Sequence, residues 1–289
     1  MAKNYKIFQI DAFTDEPFQG NPAGVLFADD FSPELMQKIA REMNLAETAF
    51  LSHSKKADFK LRWFTPAVEV DICGHATIAS LHFLFENNIL KEGTSLKFET
   101  KSGILTCGLR DGYYFMQLPL SKMEEFSGSK EELLEALAVE RTAVVDSTPF
   151  IVLDNGNLYI RVDGLETLKN LKPDFKALKK LTEDKHEFEG VAVYTLETID
   201  ESSFAHSRYF VPYLGIDEDP VTGSSNGPML MVFRKLGLIK SDTEKISVIL
   251  EQGDIMGRKG RVHVSYNPTG NELYISGKAV TVLKGEITF

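Results

Sequence analysis

The chain has 289 residues, 43% of them hydrophobic and 26% charged, with a formal net charge of −10 and an isoelectric point near 5.2. That length supports one large core or two medium ones, and the acidic balance argues against a nucleic-acid partner, whose phosphates need a basic surface. No run reaches the roughly 18 apolar residues of a membrane span, the start lacks a signal-peptide core, and two cysteines make no disulfide framework, so a reducing cytoplasm is expected.

From the N-terminus, KIFQIDAF, AGVLFA, ETAFLS, FKLRWFT, VEVDIC, LKFET, GILTCGL and YYFMQLP read as short strands, rich in β-branched and aromatic residues and bounded by turns. Between them FSPELMQKIAREM reads as a helix, and CGHATIASLHFLFENN starts a second one with apolar residues on nearly every face. A helix without a polar stripe is a buried helix.

The second half repeats this order. RWFTP at Arg62–Pro66 returns as RYFVP at Arg208–Pro212, and CGHATIASLHFLFENNIL returns as TGSSNGPMLMVFRKLGLI with Gly74 on Gly223. FETKSGIL matches ILEQGDIM, and more loosely FSPELMQKIAREM matches LKPDFKALKKLTE. Four matches in one order at nearly constant spacing point to a duplication. The expected architecture is α+β: two pseudo-symmetric lobes, each a barrel-like sheet wrapped around a central helix, over 1–118 plus about 279–289 and over 119–278. The join falls near QLPLSKMEEFSGSKEE, which mixes Pro, Gly, Ser and charge.

In AVEVDICGH, strand alternation puts Glu69, Asp71 and Cys73 on the face opposite Val68, Val70 and Ile72, before a turn at Gly74 into the buried helix. Gly223 and Ser224 hold the same junction after DEDPVT. Helix starts offer unpaired N–H groups and a positive dipole end, which favour a carboxylate or phosphate. Packed about a pseudo-two-fold axis, the two starts would share a cleft holding Cys73, His75, Asp219, Thr222 and Ser224; alternatively, the glycines are only tight turns and the hydroxyls only N-caps. Glu47, in NLAETAFLS, is a carboxylate inside an apolar strand. It either faces solvent or a cation, or faces a closed cleft where desolvation suits it to take and return a proton. His53, His82, His186, His206 and His263 show no carboxylate–histidine or metal spacing, Cys73 and His75 match no zinc pattern, and no nucleotide or flavin motif is present. Trp63 reads as core.

With DAFTDEPFQGNPAGV, LAETAF, CGHAT and DPVTGSS on the page, the chain resembles the phenazine-biosynthesis PhzF-like family, within the diaminopimelate epimerase-like superfamily, over essentially its whole length. The resemblance implies two related lobes with the active site between them, no cofactor and no metal, and a homodimer. It makes Glu47 the catalytic glutamate, His75 and Asp219 its catalytic companions, and Ser224, with the amides after Gly74 and Gly223, the substrate-binding groups beside Cys73 and Thr222. In the phenazine enzyme the glutamate moves a proton along a conjugated dihydro-hydroxyanthranilate, whereas superfamily epimerases exchange the α-proton between two cysteines. Here Cys73 stands opposite Thr222, and a hydroxyl barely ionises near neutral pH, so the two-thiol mechanism is broken. Cys73 then reads as a bystander or packing residue.

The expected activity is a cofactor-independent isomerisation of a small carboxylate-bearing metabolite by one glutamate. Three rivals stay open: an epimerase or racemase with a non-cysteine second base, a metabolite-binding protein without turnover, and a thiol hydrolase using Cys73 and His75.

Overall fold

Short alternating strands at the N-terminus pair before any helix covers them. The computed structural model, which describes residues 3–185, 187–239 and 245–289, sets β1 (Asn4–Ala12) antiparallel to β2 (Asn21–Phe27) and to the last strand of the chain, Ala279–Thr288. The chain divides into two units, residues 1–118 with returns at 260–262 and 274–289, and residues 119–259 with 263–273.

In the first unit α1 (Pro33–Met43) begins where Ser32 caps the Leu35 N–H and proline occupies the first turn, and it ends at Asn44 in the left-handed conformation. It buries Met36, Ile39 and Ala40, the larger two contributing about 1.5–3 kcal/mol each. Next come β3 (Glu47–His53), parallel to β2, then β4 (Phe59–Phe64), antiparallel to β3, and a two-residue β5 (Glu69–Val70) on β4. The expected strand VEVDIC is therefore mostly irregular, because its Asp71 is exposed and tied to Lys101 at 2.7 Å. Helix α2 (Gly74–Glu86) follows, with every residue from Gly74 to Leu81 buried. Its polar members are satisfied inside the helix: Thr77 Oγ1 donates to the Cys73 carbonyl at 2.6 Å and Ser80 Oγ to that of Ala76 at 2.7 Å. Strands surround α2, among them β1, β2, β3 and, further along, β7 (Gly103–Arg110) and β8 (Tyr113–Leu118), with β6 (Ser95–Thr100) parallel to β4.

The second unit opens with β9 (Met123–Glu125), which lies inside the segment expected to be a linker, and continues through α3 (Lys130–Leu137), β10 (Ile151–Leu153), β11 (Asn157–Arg161), α4 (Leu165–Asn170) and α5 (Phe175–Lys185). Then β12 (Gly190–Thr195), β13 (Ala205–Val211), β14 (Ile216–Asp219), α6 (Gly223–Lys235) and β15 (Ile246–Gln252) repeat the first unit's pairing pattern. β11 runs parallel to β12, β13 lies antiparallel to β12 and β14, and β15 joins β13 in parallel. Three strands close the chain: β16 (Gly260–Asn267), β17 (Glu272–Gly277) and β18 (Ala279–Thr288). The fold is α+β with two topologically similar units.

The repeated Arg–aromatic–Phe motif now has a physical account. Arg62 grips Glu69 with two N–H groups at 2.7 and 2.9 Å and lies over the Phe64 ring; Arg208 grips Glu218 at 2.8 and 2.7 Å and lies over Phe210. In each unit the arginine ties one strand to the next short strand, just before the buried helix. Trp63, between Arg62 and Phe64 in the first copy of the motif, is fully buried.

Among the described residues no helix is long and apolar enough to cross a membrane.

Candidate active site

A glycine, a buried acid and an asparagine set up the first cluster. At Gly20 (φ +62°) a Cβ would sit 2.2 Å from the Ala12 carbonyl oxygen, so the turn into β2 requires glycine. Upstream, the buried Asp11 carboxylate accepts the Phe18 N–H at 2.8 Å and fixes the loop. The turn delivers Asn21, fully buried, with its Nδ2 3.1 Å from His75 Nδ1.

His75 lies in the first turn of α2 and is 3% exposed. Its other nitrogen, Nε2, is 3.2 Å from Glu47 Oε2, and Glu47 is 8% exposed at the start of β3. Burial on both faces of β3 thus removes the solvent-facing reading of this acid, and its partner is an imidazole rather than a lysine or arginine. Cys73 is also buried, with Sγ 3.5 Å from His75 Nδ1. It packs against the edge of the ring.

Glu47, Cys73 and His75 bring three possible metal-ligand atoms within 4.8 Å of one another, which their sequence spacing did not reveal. Cys73 and Glu47 address opposite nitrogens of the imidazole, and a metal ion binds one ring nitrogen only. Holding all three donors on one ion requires breaking one of these contacts.

The second cluster surrounds the start of α6. Thr222 occupies the N-cap position, yet its hydroxyl does not cap the helix; it donates to Asp219 Oδ2 at 2.5 Å and accepts from Gln252 Nε2 at 3.1 Å. The same Gln252 amide donates to the Asp219 carbonyl at 2.8 Å, and its oxygen takes the Thr222 N–H and the Asn226 amide at 3.0 and 2.6 Å. Gly253 permits this approach, since a Cβ there would meet the Arg258 carbonyl oxygen at 2.2 Å. With its proton given to a carboxylate and one lone pair taken by Gln252, the Thr222 hydroxyl is a poor base. Cys73 likewise makes no side-chain cap, so both Gly74 and Gly223 begin helices without one.

Inside α6, Pro228 has no N–H for the Ser224 carbonyl, and Asn157 Nδ2 donates to that oxygen instead at 3.1 Å. Asn157 Oδ1 accepts the Tyr209 hydroxyl at 2.6 Å. By strand register Gly190 answers to Glu47, since each opens the strand parallel to its neighbour. A Cβ at Gly190 would lie 2.2 Å from Tyr209 Oη. A buried phenol therefore fills in the second unit the place that the carboxylate fills in the first.

The sequence reading named Glu47, His75, Cys73, Asp219, Thr222, Gly74, Gly223 and Ser224. The structure joins the first three in one cluster and the next two in another, with the glycines and Ser224 at the helix starts. Asn21, Gln252 and Asn226 escaped it. Asn21 stands within GNPAGV, but nothing in the sequence says that its amide meets an imidazole 54 residues on. Of the histidines whose sequence surroundings showed no carboxylate–histidine spacing, three meet carboxylates in the fold: His206–Glu251 at 2.8 Å, His53–Asp29 at 2.7 Å and His82–Glu86 at 3.8 Å; His186 lies outside the described residues.

A buried acid–imidazole pair thus lies beside a helix start that carries no side-chain cap. The family follows from comparison: residues 10–285 match the model of the phenazine biosynthesis-like proteins, and the chain belongs to that family. It is 37% identical to an uncharacterized isomerase of Clostridium acetobutylicum over 99% of each chain. The crystal structure of a PhzF-family phenazine biosynthesis protein of Bacillus anthracis superposes with a TM-score of 0.89 at 32% identity, covering 99% of both chains. An Enterococcus faecalis PhzF-family structure gives 0.79 at 31% identity, again over 99% of both.

Proposed function

We propose that this chain is a cofactor-independent isomerase that moves a proton between two carbons of a small carboxylate-bearing metabolite, with Glu47 as the only carrier. The isomerase relatives and the family support enzymatic turnover over bare binding. The observation that carries the single-carrier reading is the broken symmetry of the duplication: Glu47 is a buried acid against His75, whereas its counterpart is Gly190 and the partner of Cys73 is a fully engaged Thr222.

In this mechanism a C–H bond breaks as its proton passes to a Glu47 oxygen, and the electron pair stays in the substrate's conjugated system. The same proton then returns to a second carbon on the same face, which regenerates the carboxylate, so no oxidant or reductant is consumed. His75 Nε2, 3.2 Å from the Glu47 carboxylate, positions that acid by charge and packing. The substrate carboxylate binds to the helix-start amides after Gly74, beside Glu47 and His75, while the positive helix end stabilises developing negative charge.

One observation favours a second reading. Asp219 is a buried carboxylate at the other helix start, and as a second base it would make the protein an epimerase. Cys73→Ala and Glu47→Gln variants, assayed by mass spectrometry and chiral chromatography on a panel of small unsaturated amino and hydroxy acids, test the proposal. It requires isomerised product from wild type and Cys73→Ala and none from Glu47→Gln. Racemised product, or activity that follows Cys73, contradicts it.

A further inference from the structure

A neutral imidazole has one N–H and one lone pair, and its neighbours decide which nitrogen carries which. At His75 the two nitrogens face different chemistry. Nδ1 faces the Asn21 side-chain NH₂, a pure donor, at 3.1 Å, and Nε2 faces a Glu47 carboxylate oxygen, an acceptor, at 3.2 Å. The amide contact requires the lone pair on Nδ1, which leaves the neutral ring's proton on Nε2, the nitrogen beside the negative carboxylate.

We infer that Asn21 is a positioning residue that locks His75 in the Nε2–H tautomer, aiming its proton at Glu47 and denying Cys73 a proton acceptor. Cys73 Sγ lies 3.5 Å from the same Nδ1, which has a single in-plane lone pair, and the amide is the closer claimant. A thiolate–imidazolium pair between Cys73 and His75 would put a proton on Nδ1 and set it against the amide hydrogens. These residues could otherwise assemble the activated nucleophile of a thiol hydrolase. One asparagine, held fully buried by the Gly20 turn, selects between the two chemistries.

This inference rests on the reading of Glu47 as the proton carrier, but its test requires no turnover. Protein labelled with ¹⁵N-histidine is measured by NMR at pH 7, with a His75→Gln sample identifying the His75 signals. Wild type is expected to show a lone-pair Nδ1 and a protonated Nε2. Asn21→Asp replaces the donor by an acceptor and is expected to put a proton on Nδ1. In Asn21→Leu, which removes the donor and keeps an apolar fill, peptide mapping after iodoacetamide is expected to show Cys73 alkylated about tenfold faster, as one pKa unit of thiol activation gives. Cys107 is the internal control, fully buried with its thiol pushed far up by that burial. Melting curves establish that each variant folds, and the wild-type spectrum decides by itself if one does not. A protonated Nδ1 in wild type, an unchanged ring in Asn21→Asp, or an unchanged Cys73 rate in Asn21→Leu overturns the inference. Each of those results leaves Glu47-dependent proton exchange standing. Conversely, loss of that exchange reading leaves the tautomer assignment intact.

Discussion

Replacing Gly190 by alanine adds one methyl group where the Tyr209 hydroxyl already lies. The new Cβ would be 2.2 Å from Oη and 2.5 Å from Cζ, well inside contact distance. The phenol is buried and hydrogen-bonded to Asn157, which supports the Ser224 carbonyl in turn. Burial holds Tyr209 well above the ordinary phenol pKa, so it remains a donor at any pH where the protein is handled. Shifting the ring costs about 1–3 kcal/mol of overpacking. Losing its hydrogen bond leaves a buried acceptor unpaired, about 1–3 kcal/mol more. The strand's usual gain of roughly 0.5–1 kcal/mol from glycine to alanine offsets a little of this. A net loss of about 2–5 kcal/mol lowers the melting temperature by about 3–8 °C in a chain of this size. Thermal denaturation followed by circular dichroism measures it, with Gly285→Ala as the control. Around Gly285 the nearest atom to a new Cβ is 3.5 Å away, so that variant melts with wild type. A Gly190→Ala protein that also melts within about 2 °C of wild type would refute the reasoning.

Glu251 is fully buried and accepts three hydrogen bonds, from His206 Nδ1 at 2.8 Å and from the Ile199 and Asp200 N–H groups at 2.9 and 2.7 Å. Glu251→Ala strands all three donors and costs about 3–5 kcal/mol, read in urea melts; a loss below about 1 kcal/mol would contradict the clamp. Burial pushes the His82 imidazole below its ordinary 6.5, against the pull of Glu86 and with the push of Lys284. The unfolded chain therefore takes up a proton that the folded chain resists, so stability falls as pH drops below 6.5 toward the lowered value. His82→Asn flattens that part of a stability–pH curve, and a curve identical to wild type would show that another group controls it.

Much of this was legible in the sequence, for physical reasons that differ by residue. The duplication showed because two copies of one architecture need the same arginine, aromatic and turn chemistry, as Arg62 and Arg208 illustrate. Helix α2 showed because a helix enclosed by strands has no polar face to keep. Glu47 stood out as an acid in an apolar strand, but its partner came from another element, and no local pattern encodes a contact closed by packing. Asn21 and Gln252 were silent for the same reason: each is an ordinary polar residue until the fold sets its amide against an imidazole or a helix start. The short β5 was overread because alternation in VEVDIC continues past the point where Asp71 turns to solvent.

The central claim is that Glu47 alone carries the proton, and deuterium uptake tests it most directly. Wild type and Glu47→Gln are incubated in D₂O with small unsaturated amino and hydroxy acids, dihydro-hydroxyanthranilate among them, and the compounds are weighed by mass spectrometry. The account predicts label incorporation or isomerisation with wild type and none with Glu47→Gln. Exchange or isomerisation that persists in Glu47→Gln, or a panel whose members bind wild type with none of them labelled or isomerised, would contradict it.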